Sequence, residues 1–130
     1  MLHPYLDQVG YPTIGWGSRY GLDGKEITMK SPSISLEEAD SLLKRDIKKF
    51  EDKVNQGITT YISQRQFDAL VSFCYNLGSL LELKDKINLK TIKRQDFLAY
   101  SYARDVKTNK MVQLPGLLYR RGQEADLFFS

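Results

Sequence analysis

Cysteine, histidine and tryptophan each occur once in this 130-residue sequence, as Cys74, His3 and Trp16. A single cysteine cannot close an intramolecular disulfide, and structural zinc sites usually draw on two or more thiolates. A disulfide framework and a thiolate zinc cage are both excluded. One histidine, with no recognisable nucleophile pattern around it, argues against a Ser–His or Cys–His pair, and His3 reads as a surface or strand residue. Apolar runs are only a few residues long, far short of the roughly 20 needed to cross a bilayer, so no membrane segment is expected. Met1-Leu2-His3-Pro4-Tyr5 lacks the basic start and apolar middle of a secretory signal. Gly15-Trp16-Gly17 is followed by no Lys-Ser/Thr pair at phosphate-loop spacing. Charge of one sign is not in large excess either: nineteen Lys and Arg against sixteen Asp and Glu leave +3. That balance suits a polyanionic partner but lacks the basic stripe of a nucleic-acid binder. Lys84, Lys86, Lys90, Lys93 and Arg94 fall at helix-like spacing and read as a solvated face.

What is present is the composition of one folded domain, 42% hydrophobic and 27% charged. Gly10, Gly15, Gly17, Gly21 and Gly24 alternate with aromatic and β-branched residues, which predicts a strongly turned antiparallel sheet over residues 2–29. Asp23-Gly24 supplies a hairpin turn, with Lys25-Glu26-Ile27-Thr28 as the returning strand. After Pro32 the period changes. Ser35 and Glu38 form a capping box for a helix whose apolar face runs from Leu36 to Val54 and stops at Gly57. Ser63 and Gln66 repeat that chemistry ahead of a second, strongly apolar helix closed by Gly78, in which Cys74 is a core residue. Leu83 with Ile87 mark a short helix; Phe97, Ala99, Tyr100 and Ala103 mark another. Val106 to Met111 reads as a polar loop, and Pro115-Gly116 opens a last helix toward Phe128. The expected class is α+β: a small antiparallel β-lobe (1–30), then a mainly helical lobe (31–130), with a ligand cleft between unlike parts.

Among the carboxylates, Asp7 follows an aromatic, apolar stretch and precedes a glycine turn, and Thr13 lies six positions on. If the strands pair, a carboxylate and a hydroxyl face one opening and hold a water, as general-base activation requires. The competing reading is that Asp7 merely organises the turn at Gly10.

The segment from Tyr5 to Gly17, with Asp7, Thr13 and Thr-Ile-Gly-Trp-Gly, resembles the active-site segment of the phage T4-type lysozymes and endolysins. That family's pattern reads Glu, eight residues, Asp, five residues, Thr. Gln66 to Gly78 is similar to the family's central buried helix, and Pro115 to Glu124 resembles its late Gly-Leu-x-x-Arg-Arg-x-x-Glu signature. The resemblance implies a lysozyme-like fold. It also implies a muramidase that hydrolyses the β-1,4 bond between N-acetylmuramic acid and N-acetylglucosamine in peptidoglycan, needing no metal or cofactor. Asp7 and Thr13 would orient the attacking water, in the inverting arrangement. Arg120 or Arg121 would partner the acid or the substrate, against the alternative of a surface helix-end pair. Tyr75 and Asn76 would line the cleft, against core packing for Tyr75. Synthesis in a bacterial cytoplasm and action at the cell wall or periplasm are implied, by an export route that the sequence does not show.

The sequence departs from the pattern at one point. The family's general-acid glutamate falls three positions before Met1, with the helix that precedes it. Either Met1 is internal to a longer product, or the chain is a non-catalytic peptidoglycan-binding or regulatory remnant. Both lead to the expectation of weak or no lysis by these 130 residues. An uncovered apolar patch on the helical lobe, closed by dimerisation, is expected as well.

Overall fold

A computed structural model describes residues 1–7, 10–105 and 107–130. Gln8 and Val9 of the early motif, and Val106 at the start of the expected polar loop, lie outside the described residues. In chain order the elements are β1 (Tyr5–Leu6), β2 (Pro12–Thr13), α1 (Leu36–Gly57), α2 (Gln64–Leu77), α3 (Leu83–Asn88), α4 (Arg94–Leu98), a 3-10 turn (Ala99–Ser101), β3 (Tyr102–Arg104), β4 (Met111–Gln113) and α5 (Pro115–Phe128). The architecture is α+β. Two compact units are formed, Met1–Lys48 with Arg104–Lys110, and Lys49–Ala103 with Met111–Ser130. The division falls inside α1, so the first unit takes in more chain than the thirty residues expected for a β-lobe.

In the first unit β1 and β2 pair antiparallel, Tyr5 opposite Thr13 and Leu6 opposite Pro12. The sheet expected over residues 2–29 is otherwise reduced to single bridges, Leu2 to Ile34, Ile14 to Ser18 and Tyr20 to Glu26. Gly10, Gly15, Gly17 and Gly24 all take positive φ and turn the chain before a ladder can lengthen. The Asp23-Gly24 turn forms as expected: the Lys25 N–H donates to Asp23 Oδ1 at 2.9 Å, and the strand it returns shrinks to the bridge at Glu26. Ile14, Ile27 and Ile34 pack with Ala39 and Leu42 of α1 into a small core. Polar contacts tie residues 16–21 to α1. Trp16 Nε1–H donates to Asp40 at 2.9 Å, Ser18 Oγ–H to Asp46 at 2.7 Å, and Arg45 to the carbonyls of Tyr20 and Gly21. At the start of α1 the Glu38 N–H donates to Ser35 Oγ, the first half of the expected capping box. His3 is exposed, its Nδ1 2.5 Å from Ser33 Oγ.

In the second unit α2 carries its full capping box: Ser63 Oγ accepts the Gln66 N–H and Gln66 Oε1 accepts the Ser63 N–H. Gly78 closes the helix at φ 91°, its N–H on the Cys74 carbonyl. Ala69, Leu70, Phe73 and Cys74 of α2 meet Leu83 and Ile87 of α3, Phe97 of α4, and Ala125 and Phe128 of α5 in the larger core. The Phe97 ring lies 6.0 Å from Phe73 and 5.4 Å from Phe128, centroid to centroid. Burial pushes the Cys74 thiol up to about 12, as befits a packing residue.

Two expectations for this region are corrected. The helix through Phe97 and Ala103 stops at Leu98, because Tyr100 leaves helical geometry (φ −91°, ψ 37°) and Ala103 joins β3. Of the expected loop, the described residues 107–110 lie between β3 and β4 of a two-stranded sheet, and Met111 is the first residue of β4. Asp105 caps that turn through the Lys107 N–H, and Asn109 takes the left-handed conformation (φ 57°) that asparagine tolerates. The basic run is largely solvated, with Lys84, Lys90, Lys93 and Arg94 exposed; within it Lys86 pairs with Asp96 at 2.7 Å, and Arg94 with Asp126. Among the described residues no helix is long and apolar enough to cross a membrane.

Candidate functional site

The β1–β2 hairpin brings Asp7 and Thr13 onto one residue, Tyr11. The Asp7 N–H donates to the Tyr11 carbonyl at 3.0 Å, and the Tyr11 N–H donates back to Asp7 Oδ1 at 2.9 Å. Thr13 Oγ1–H donates to the same Tyr11 carbonyl at 2.8 Å. Asp7 therefore does organise the turn, through one carboxylate oxygen. Thr13 is nearly buried, 3% exposed, and with its proton committed to Tyr11 its hydroxyl oxygen is left to accept. Tyr5, opposite Thr13, donates its phenol proton to the Gly15 carbonyl; burial and then the Asp7 charge raise its pKa. The guanidinium of Arg19 lies over the Tyr11 ring, 4.1 Å from its centroid. Composition and spacing did not single out Tyr11 or Arg19. Tyr11 works through its backbone, which no residue pattern marks.

The second unit gathers the other expected residues. Arg121 is fully buried, 0% exposed, and grips Glu124 with a two-pronged contact: Nε to Oε1 at 2.6 Å and Nη2 to Oε2 at 2.9 Å. Among the described residues its Nη1 has no hydrogen-bond partner, but the guanidinium stands 5.2 Å from the Phe73 ring centroid, where the π face receives it. Burial lowers the Arg121 pKa and the Glu124 charge opposes that shift. Ser72 Oγ–H also donates to Glu124, at 2.5 Å. Arg120 is half-exposed; it donates to the Ser72 carbonyl at 3.2 Å and lies 5.9 Å from the Tyr75 ring centroid. Neither arginine belongs to a surface helix-end pair, since both sit mid-helix in α5 and are tied to Glu124. Tyr75 is half-buried, edge-on to Phe50, and Asn76 is exposed at the end of α2. Ala69, Ser72, Arg120, Gln123, Glu124 and Leu127 line a pocket of about 320 Å³. The role of Glu124 was legible as a spacing, three residues after Arg121 and four after Arg120.

The fold is lysozyme-like, as its superposition on solved endolysins shows. The chain belongs to the phage lysozyme family, whose profile matches residues 1–124. It is 33% identical over 135 aligned positions to the endolysin of Salmonella phage P22, covering 99% of this chain and 87% of that one. It is 38% identical over 122 positions to the endolysin of Bacillus phage B103, covering 92% of this chain. The chain spans only 44% of the length of that endolysin and of its counterpart in Bacillus phage PZA. Among solved structures, the endolysin from Escherichia coli O157:H7 phage FAHEc1 superposes with a TM-score of 0.79 at 31% identity, over 100% of this chain and 84% of that one. The muramidase domain of SpmX from Asticaccaulis excentricus gives 0.74 at 26% identity, over 98% and 86%.

Proposed function

We propose that this chain is the wall-degrading module of an endolysin, acting on the β-1,4 bond between N-acetylmuramic acid and N-acetylglucosamine in peptidoglycan strands. The supporting observation is the convergence of the Asp7 carboxylate and the Thr13 hydroxyl on the two peptide groups of Tyr11. In this reading Asp7 takes the proton of an attacking water as general base. Thr13, its own proton held by Tyr11, accepts the water's second hydrogen and so fixes the direction of attack. The leaving oxygen would be protonated from the opposite face of the sugar by a glutamic acid three positions before Met1, which these 130 residues do not supply, in the inverting geometry. Tyr75, Asn76 and Arg120 of the second unit are proposed substrate-binding residues, and Arg121 holds Glu124 and through it Arg120. The module is made in the bacterial cytoplasm and works at the wall.

Release of reducing ends from purified peptidoglycan tests this. The 130 residues alone are expected to sediment with the wall and cleave it slowly. A helical extension placing a glutamate three positions before Met1 should raise the rate roughly 10²–10⁴-fold, the usual worth of a general acid. In that extended chain Asp7→Asn should lower the rate by a comparable factor with little change in Tm, because asparagine still offers Oδ1 to the Tyr11 N–H. Wall binding with no cleavage in the extended chain would favour the non-catalytic reading; neither binding nor cleavage would overturn both. Dimerisation through apolar side chains exposed at α5, among them Leu118 and Tyr119, is part of the same reading. Sedimentation velocity over a concentration series checks it.

A further inference from the structure

We infer that Arg19, laid against the face of Tyr11, is a specificity-determining residue that receives an oxyanion of the wall strand, either a peptide carboxylate or a wall-polymer phosphate. The inference rests on the proposed glycosidase reading and adds a substrate feature to it. Three observations carry it.

The first is position. Tyr11 touches all three groups: its N–H holds Asp7, its carbonyl holds Thr13, and its ring holds Arg19 at 4.1 Å. An anion bound at Arg19 is thereby one residue from the proposed water-holding pair. The second is rigidity. The Arg19 carbonyl accepts the Ile27 N–H at 2.8 Å, and its neighbour Ser18 is fixed at both backbone and side chain, to Ile14 and to Asp46. The stem thus leaves a pinned main chain, and the guanidinium carbon is held over the Tyr11 ring. The third is unspent capacity. Arg45, Arg94, Arg120 and Arg121 each pair with a carboxylate, and Arg65 and Arg104 donate to Ser130 and Asn109, whereas Arg19 has only its ring contact with Tyr11 among the described residues. Arg19 is exposed. An exposed guanidinium held over a ring has N–H donors left for a ligand, and its fork matches a carboxylate or phosphate two oxygens at a time. Neutral N-acetyl sugars give such a fork no charge to match.

Sedimentation of the 130-residue chain with purified cell walls tests the inference without requiring turnover. Three preparations separate the sources: walls with their phosphate polymers, walls stripped of them by hydrofluoric acid, and stripped walls whose carboxyl groups have been amidated. At low salt Arg19→Ala should weaken binding roughly two- to fivefold, the range of a partly exposed ion pair. Arg19→Lys should fall between, keeping the charge but losing the planar fork, and the difference from wild type should close in high salt. A difference that survives stripping and disappears on amidation identifies the carboxylate; one that disappears on stripping identifies the phosphate. Arg19→Gln, which keeps a polar side chain but removes the charge and the fork, and a thermal melt of each variant separate loss of contact from loss of fold. Equal binding of wild type, Arg19→Ala and Arg19→Gln on all three preparations overturns this inference and leaves the glycosidase reading intact. Failure of the wild-type chain to bind any preparation overturns both.

Discussion

Glu124 is 3% exposed and takes hydrogen bonds from Ser72, Arg120 and Arg121, so its removal leaves more than a cavity. Glu124→Ala strands the fully buried Arg121 guanidinium without its counter-charge, a change that typically costs about 3–5 kcal/mol. Urea unfolding of the variant should show that loss, and Glu124→Gln, which keeps an acceptor, should lose less. A second residue-scale expectation concerns pH. The hydrogen bond from Lys86 holds the Asp96 carboxyl below its ordinary range and raises the Lys86 ammonium above its own. The Asp96 contribution is therefore complete above the ordinary carboxylate pKa and is lost as pH falls through the lowered folded value, below about pH 4. The Lys86 contribution has the opposite sense, complete below the ordinary lysine pKa and lost as pH rises through the raised one. Urea midpoints compared at pH 6 and pH 3 should differ less in Asp96→Asn than in wild type.

At the scale of single elements, two glycines with positive φ separate strain from crowding. A Cβ at Gly78 (φ 91°) meets nothing within 4 Å, so Gly78→Ala carries only the left-handed backbone penalty, about 1–2 kcal/mol. A Cβ at Gly15 (φ 62°) would lie 3.0 Å from the Ala39 side chain, so Gly15→Ala should carry the same penalty plus displacement of α1. Thermal melts of the pair should rank Gly15→Ala as the more damaging. Element boundaries like that at Gly78 were legible because caps are local: Ser63 with Gln66, Gly78 and Pro115 each act through neighbours within a few residues. The β3–β4 sheet was not legible, since Tyr102, Ala103 and Met111 give too short an alternation to compete with a helical reading that runs on from Phe97. The early sheet was over-read for the opposite reason: β-prone residues are there, but the glycines between them bend the chain too often for a ladder. In the candidate site Asp7 and Thr13 were legible as side chains, whereas Tyr11 contributes peptide groups, which sequence does not distinguish from any others.

For the molecule as a whole, the two units carry unequal interiors. Among the described residues the apolar core of the first holds Ile14, Ile27, Ile34, Ala39 and Leu42; that of the second holds eleven buried apolar residues, including Phe73, Phe97 and Phe128. Opening free energy follows buried apolar contact, so amide protons bonded in the single bridges of residues 2–34 should exchange well before those of α2 and α5. Hydrogen-exchange mass spectrometry with peptide-level resolution checks this; equal protection in the two sets would contradict it. The proposed chemistry would then lie in the softer unit. Its reactive pair hangs on the amide and carbonyl of position 11, while the ring at that position faces outward to a cation. Almost any residue except proline supplies the former, and only an aromatic supplies the latter. On the proposed reading, substrate preference at this locus is free to drift across generations, by exchange of one side chain and the cation over it, while the proposed cleavage apparatus is inherited unchanged.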